Sequence, residues 1–198
     1  MKKKDNNILD FIKKAWDYLW NGESFLSWIL FLIFVFIFIK FIFFPVLSFI
    51  FGSSLPIVIV ESCSMYHDKN FNEWWDENGD WYEKNGIKKS DFENFPLRDG
   101  FNKGDIFFVS GIKKELKTGE VIIFSSGNSK RPIIHRIVGL NPLNTKGDNN
   151  PDQIPFEKDI NKKDIIGKAV NLRIPFIGWI KLIFFEPLKY ENERGFCK

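Results

Sequence analysis

From Phe25 to Phe51 the chain reads FLSWILFLIFVFIFIKFIFFPVLSFIF, and Lys40 is its only charge. A helix rises ~1.5 Å per residue, so about 20 residues cross ~30 Å of hydrocarbon, and this run spans that with residues to spare. Pro45 is where the helix is expected to bend or end. Lys40 can extend its amine to the interface. The apolar run is too long for a cleavable secretion signal and no Ala-x-Ala site follows it, so a permanent anchor is expected. Upstream, Ile8, Leu9, Ile12, Ala15 and Leu19 recur near helical spacing. They predict a short surface helix over residues 8–20, within a cytosolic amphipathic segment 1–24.

Beyond the anchor the pattern changes period. Residues 55–60 form a β-branched run, read as a strand buried on both faces. Further strands are predicted at 105–110, 120–125, 133–140 and 165–174, separated by Lys103-Gly104, Thr118-Gly119, Gly127-Asn128 and Gly147-Asp148-Asn149-Asn150. No helical period lies between them, so the fold class is mainly β: an antiparallel β-domain over 52–173 behind one N-terminal transmembrane helix. Residues 66–99 break the strand pattern. They carry nine acidic and five basic residues with Trp74, Trp75, Trp81 and Tyr82 interleaved. This is read as a partly helical insertion packed on the domain by its aromatics, serving either as a cap or as a surface for substrate or partner. Residues 174–185 are apolar again, too short at ~18 Å to cross a bilayer. They are expected to form a short helix, either packed in the core or inserted shallowly in the interface, within a terminal segment 174–198.

Composition adds exclusions. With 198 residues, 44% hydrophobic and 27% charged, the chain is no disordered polyelectrolyte. A net charge of +3 gives no sign of a nucleic-acid partner. Two cysteines, Cys63 and Cys197, make no disulfide framework and fall short of a four-ligand zinc site, so no metal or cofactor is expected. Lys2, Lys3, Lys4, Lys13 and Lys14 precede the anchor, and no Lys or Arg occurs from Phe41 through Met65. The amino terminus is therefore expected in the cytosol, with everything after Phe51 outside or in a lumen.

Histidine is scarce. His135 sits in Pro132-Ile133-Ile134-His135-Arg136-Ile137-Val138-Gly139, where strand alternation sets it between Ile133 and Ile137 on one face. An imidazole there is partly desolvated, which favours its neutral form, the form a general base must have. Taken alone, such a residue is more often structural. Glu61-Ser62-Cys63-Ser64-Met65 leaves the first strand and could present a hydroxyl at a cleft, or be a plain turn. In order, the anchor, Ser64-Met65, His135-Arg136 and Gly147-Asp148-Asn149-Asn150 resemble the type I signal peptidases of the archaeal and endoplasmic-reticulum kind, in which histidine replaces the bacterial general-base lysine. Lys103-Gly104-Asp105-Ile106 and Gly119-Glu120-Val121-Ile122 are similar to that family's connecting strands.

The resemblance implies Ser64 as nucleophile, His135 as the base that takes its proton, and an Asp orienting the imidazole. The family pattern has an Asp in the turn and a second about six residues on. Here Asp148 is followed by Asp152, so the third member is Asp152 or Asp148. The backbone N–H of Ser64 and the Ser62 hydroxyl are the expected oxyanion donors. His67, where the bacterial pattern has proline, is expected to be a solvated loop residue. Lys146 is expected to stabilise the turn. The implied activity is removal of signal peptides from secreted preproteins through an acyl-enzyme on Ser64. The implied partners are membrane lipid, such preproteins and translocon or accessory subunits, at a cell membrane or endoplasmic-reticulum membrane. Two rival readings remain. One is a sortase-like thiol transpeptidase using Cys63, although Cys63 is more simply a small filler on the core face. The other is a non-catalytic anchored β-domain that binds partners through 66–99.

Overall fold

The computed structural model describes residues 5–127 and 131–198. Lys2, Lys3 and Lys4, counted above for orientation, and Asn128 of the expected Gly127-Asn128 turn lie outside the described residues. The chain divides into two compact units, residues 1–49 and 50–198.

In the first unit, α1 (Asp5–Asn21) is longer than the apolar spacing predicts. It turns tightly into α2 (Phe25–Phe38), whose Ser24 cap accepts a hydrogen bond from the Ser27 backbone N–H at 3.2 Å. Ser27 Oγ donates back to the Gly22 carbonyl at 2.6 Å. A Cβ on Gly22 would lie 2.5 Å from that same Oγ, which is why glycine stands at the turn. Trp16 and Trp20 meet Phe34 and Phe31 edge-on, so α1 lies along the start of α2. The helix does not end near Pro45. Residues Ile39–Phe43 widen into a π-helical turn, with the Phe44 N–H bonded to the Ile39 carbonyl, and α3 (Phe44–Phe51) carries on. Proline supplies no N–H to the preceding turn, and the wider turn before it absorbs that loss without a break. Phe25–Phe51 is thus one apolar helix, long enough to cross a membrane and the one such helix among the described residues.

The second unit is built on a six-stranded, fully antiparallel sheet in the order β1-β2-β6-β3-β4-β5. The strands are β1 (Ile57–Ile59), β2 (Ile106–Ser110), β3 (Val121–Phe124), β4 (Ile133–Leu140), β5 (Leu143–Lys146) and β6 (Ile165–Ile174). The antiparallel β-domain expected from the sequence is present. Alternation along β3 feeds two cores: Val121 and Ile123 join Phe107, Val109 and Met65 on one side, while Ile122 and Phe124 join Ile137, Leu143 and Ile160 on the other. Two expectations need correction. The first strand is not buried on both faces; β1 is an edge strand with only half-buried residues, because it pairs with β2 alone. And Leu143–Lys146, where no strand is predicted above and Lys146 is expected only to stabilise the turn, is a strand that hairpins onto β4 across Asn141-Pro142.

Between β1 and β2 the insertion folds as α4 (Phe71–Lys84) and α5 (Lys89–Phe92). Asn70 caps α4 by accepting from the Glu73 N–H at 3.2 Å. Phe71, Trp74, Trp75, Tyr82, Ile87 and Phe92 close a buried aromatic core with Val138 of β4. The carboxyl-terminal apolar segment forms no twelve-residue helix. β6 consumes its first residue, Phe176 turns at φ 60°, and only α6 (Trp179–Leu182) is helical. Leu182 is buried while Ile177, Ile180, Ile183 and Phe184 are exposed.

Candidate active site

β1 ends where Val60 donates its N–H to the Asp105 carbonyl at 2.9 Å, and the chain then leaves the sheet. Met65 plugs into the core and its carbonyl accepts the Phe101 N–H at 2.8 Å, which holds the following turn down. Ser64, between these two points, presents its hydroxyl to β4. There His135, opposite Ile122 of β3, places Nε2 2.8 Å from Ser64 Oγ.

The other imidazole nitrogen, Nδ1, is bonded to Glu157 Oε1. Glu157 lies in a short 3-10 turn, Pro155–Glu157, just after β5, and is fully buried. Its Oε2 accepts the Ile154 N–H at 2.8 Å, and Thr145 Oγ1 on β5 donates to Oε1 at 3.3 Å. The carboxylate is therefore locked from both sides. With the imidazole proton kept on Nδ1 and hydrogen-bonded to Glu157, the Nε2 lone pair is free to accept from Ser64.

The turn after β5 closes the cleft. The Asn149 N–H donates to the Ser64 carbonyl at 2.8 Å, and Asn149 Nδ2 to the Cys63 carbonyl at 3.1 Å. A Cβ on Gly147 would come within 2.9 Å of both His135 Nε2 and the Ser64 carbonyl, so only glycine fits against the hydroxyl–imidazole pair. Ser62 Oγ lies 3.1 Å from Ser64 Oγ.

Both aspartates named from the sequence stand elsewhere, a correction to which carboxylate faces His135. Asp148 is fully buried in a separate network. It takes Arg136 Nη2 at 2.7 Å and Arg136 Nε at 3.0 Å, Tyr82 OH at 2.9 Å and His67 Nε2 at 3.1 Å. Burial alone would raise its pKa, but the Arg136 charge and the bonds from His67 and Arg136 hold it well below the usual carboxylate range. Tyr82 is pushed the other way, well above an ordinary phenol, by burial and then by the Asp148 charge. Asp152 is exposed and takes the Trp81 indole N–H at 2.9 Å. Strand alternation explains the division: Arg136, one residue after His135, points to the opposite face and carries Asp148 with it. His67 is not a solvated loop residue; it is buried, stacked on Trp74 with centroids 3.7 Å apart. Lys146 is buried too and donates to the Gly147 and Asp148 carbonyls at 3.1 and 3.3 Å. Burial, opposed by the Asp148 and Glu157 charges, pulls its pKa down to about 8.

Cys63 is neither a filler nor a thiol. It is half-buried and disulfide-bonded to Cys197, and no free cysteine remains among the described residues. A thiolate nucleophile at this position is therefore absent. The rival binding reading of 66–99 meets a similar obstacle, since the tryptophans Trp74 and Trp75 point into the insertion's own core.

A hydroxyl, an imidazole and a buried carboxylate in line, at the exit of an edge strand, form the geometry that activates serine for acyl transfer. Comparison with known proteins gives the kind. No family model matches the chain. Over 103 residues it is 36% identical to the signal peptidase complex catalytic subunit SEC11 of Pyricularia oryzae, a stretch covering 46% of this chain and 59% of the fungal protein. It is 33% identical over the same length to the corresponding subunit of Sclerotinia sclerotiorum. To that of Candida tropicalis it is 26% identical over 106 residues, 48% of this chain and 64% of that protein. The chain thus spans about three-fifths of the length of the curated relatives it matches (59 to 64%), and they are of the type I signal peptidase kind that the sequence resembles.

Proposed function

We propose that this chain is a membrane-anchored serine endopeptidase that removes signal peptides from secreted preproteins. The observation that carries the reading is the Ser64–His135–Glu157 line, 2.8 Å between hydroxyl and imidazole, in a chain similar to signal peptidase catalytic subunits. Ser64 Oγ attacks the scissile carbonyl carbon as His135 Nε2 takes its proton, and Glu157 stabilises the resulting imidazolium. The oxyanion is met by the Ser64 N–H and the Ser62 hydroxyl. Collapse breaks the C–N bond and expels the amine of the mature protein, which takes the proton from His135 and leaves the signal peptide's carbonyl esterified to Ser64 Oγ. Water, deprotonated by His135, then releases it. Neither Asp152 nor Asp148 takes part in this relay; Glu157 holds the third position.

The extended cleavage segment docks beside the active-site strands by strand addition, with small residues one and three positions before the cut directed into shallow pockets. Phe25–Phe51 tethers the enzyme beside a substrate held in the same membrane, which raises their effective concentration. Lys13 and Lys14 before the span, and the absence of Lys and Arg from Phe41 through Met65, support a cytosolic amino terminus in a single-pass orientation. The Cys63–Cys197 disulfide supports an oxidising compartment for the β-domain, at a cell surface or in the endoplasmic reticulum. Exposed Ile177, Ile180, Ile183 and Phe184 support shallow contact with lipid. The relatives are named as subunits of a complex, which supports accessory subunits here as well.

The test is incubation of the purified chain, in detergent or lipid, with a labelled preprotein, and Ser64→Ala in parallel. Cleavage at the signal-peptide junction by the wild-type chain and none by Ser64→Ala is expected. Cleavage that persists in Ser64→Ala would overturn the reading.

A further inference from the structure

Cys63 immediately precedes the proposed nucleophile, and its disulfide partner lies at the far end of the domain. The tail that carries Cys197 is itself anchored. Lys103, 1% exposed, sends its amine to Glu186 Oε2 at 2.6 Å, the Glu193 carbonyl at 2.7 Å and the Gly195 carbonyl at 3.0 Å. The Gly195 N–H returns to Glu186 Oε2 at 2.9 Å, and Phe196 packs on Trp179 with centroids 4.5 Å apart. From this tail Lys189 Nζ reaches the Glu61 carbonyl at 2.7 Å. Residues 61–64 are thus gripped from two sides: by Asn149 from the turn after β5 together with Arg131 before β4, and by Lys181, Lys189 and Cys197 from the carboxyl-terminal segment. Only the first grip is shared with the side of the cleft that holds His135.

We propose that the tail, residues 186–197, is a strap that positions the nucleophile segment, and that the Cys63–Cys197 bond makes its hold dependent on redox state. This rests on the reading of Ser64 as nucleophile. A dithiol opens the strap: its two thiols become a disulfide, and the Cys63–Cys197 bond takes up the two electrons and two protons to give two protein thiols. Cys63, Cys197 and Lys189 are positioning residues. None touches the reacting atoms, and a displacement of order 1 Å at a nucleophile suffices to slow the chemical step.

The experiment uses the full chain in detergent and compares the oxidised form, the form reduced with dithiothreitol, Cys197→Ser and Lys189→Met. Preprotein cleavage is read as kcat and KM separately, and amide hydrogen exchange is followed over residues 61–66 and over β2 and β6. Reduction and Cys197→Ser should each lower kcat by about tenfold or more with KM within about twofold, and reoxidation should restore the reduced wild type. Lys189→Met, which keeps the disulfide, should show a smaller loss of kcat. Exchange over 61–66 should quicken while β2 and β6 stay protected. The strap is overturned if kcat and exchange over 61–66 are unchanged on reduction, or if exchange rises equally throughout the sheet, which marks general loosening. A failure of the functional reading looks different: the oxidised wild type would not cleave, whereas the exchange comparison would still decide the strap.

Discussion

Glu157 and Asp152 lie five positions apart, yet their surroundings differ completely. Glu157 is sealed under His135 by the Ile154 N–H and Thr145, while Asp152 sits in water against Trp81. Replacing Glu157 by Gln keeps the shape but removes the charge that favours the imidazolium and the tautomer that frees Nε2. A fall in kcat of about 10³–10⁴ is expected, on the scale seen when a buried triad carboxylate is neutralised. Asp152→Asn should cleave preprotein at the wild-type rate, and a comparable loss in both variants would reject Glu157 as the orienting group. Ser64 and His135 were legible in the sequence only through the order of motifs that resembles the signal peptidases, since a serine at a strand exit and an imidazole in an apolar strand each say little alone. Glu157 was not. Six residues after Asp148, where the family pattern leads one to look for a second Asp, stands Ile154. The carboxylate that meets His135 arrives three residues later, on a turn whose only local cue is an acid behind Ile154-Pro155-Phe156 that can reach back to the Ile154 N–H.

At the scale of elements, β4 separates two kinds of work on its two faces. His135 faces the cleft, and Arg136 faces the insertion: its guanidinium pairs with Asp148, and Tyr82 and His67 bond to that same carboxylate. The insertion thus contributes polar partners to a buried ion pair as well as aromatic packing. Asp148→Asn would leave the Arg136 charge buried with its main partner neutral, and a loss of about 3–5 kcal/mol in unfolding free energy is expected by chemical denaturation. The pH dependence follows from the sign of the shift. Asp148 has its pKa depressed in the folded chain, so its contribution is complete above the ordinary carboxylate value of about 4 and is lost as pH falls towards the folded value. Unfolding measured from pH 6 down to pH 2 should show this decline in the wild type, and Asp148→Asn should lack that component. Most elements announced themselves: the span, β2, β3, β4 and β6 follow from hydrophobic period. The hairpin strand β5 did not, because Leu143–Lys146 is too short to show a period and its polar Thr145 and Lys146 are buried only by what folds over them. The insertion's role was hidden for the same reason, since His67 looks exposed until Trp74 stacks on it.

For the whole molecule, the anchor and the β-domain answer separate physical demands, one for lipid and one for a folded core. If the orientation proposed from the lysine distribution holds, protease confined to the non-cytosolic side of a sealed membrane, the outside of whole cells or the lumen of endoplasmic-reticulum vesicles, will digest sites after Phe51 and spare residues 1–24. Protection of the β-domain with digestion of the amino-terminal segment would reverse it. The disulfide has a consequence for the order of events during biogenesis. Residues 63 and 197 are 134 positions apart, so in the proposed orientation nearly the entire β-domain is delivered across the bilayer before the two sulfurs can meet. If the proposed strap and activity both hold, a copy whose residue 197 has not yet crossed carries Ser64 without that fastening, and cutting is expected to begin only after the sulfurs have joined.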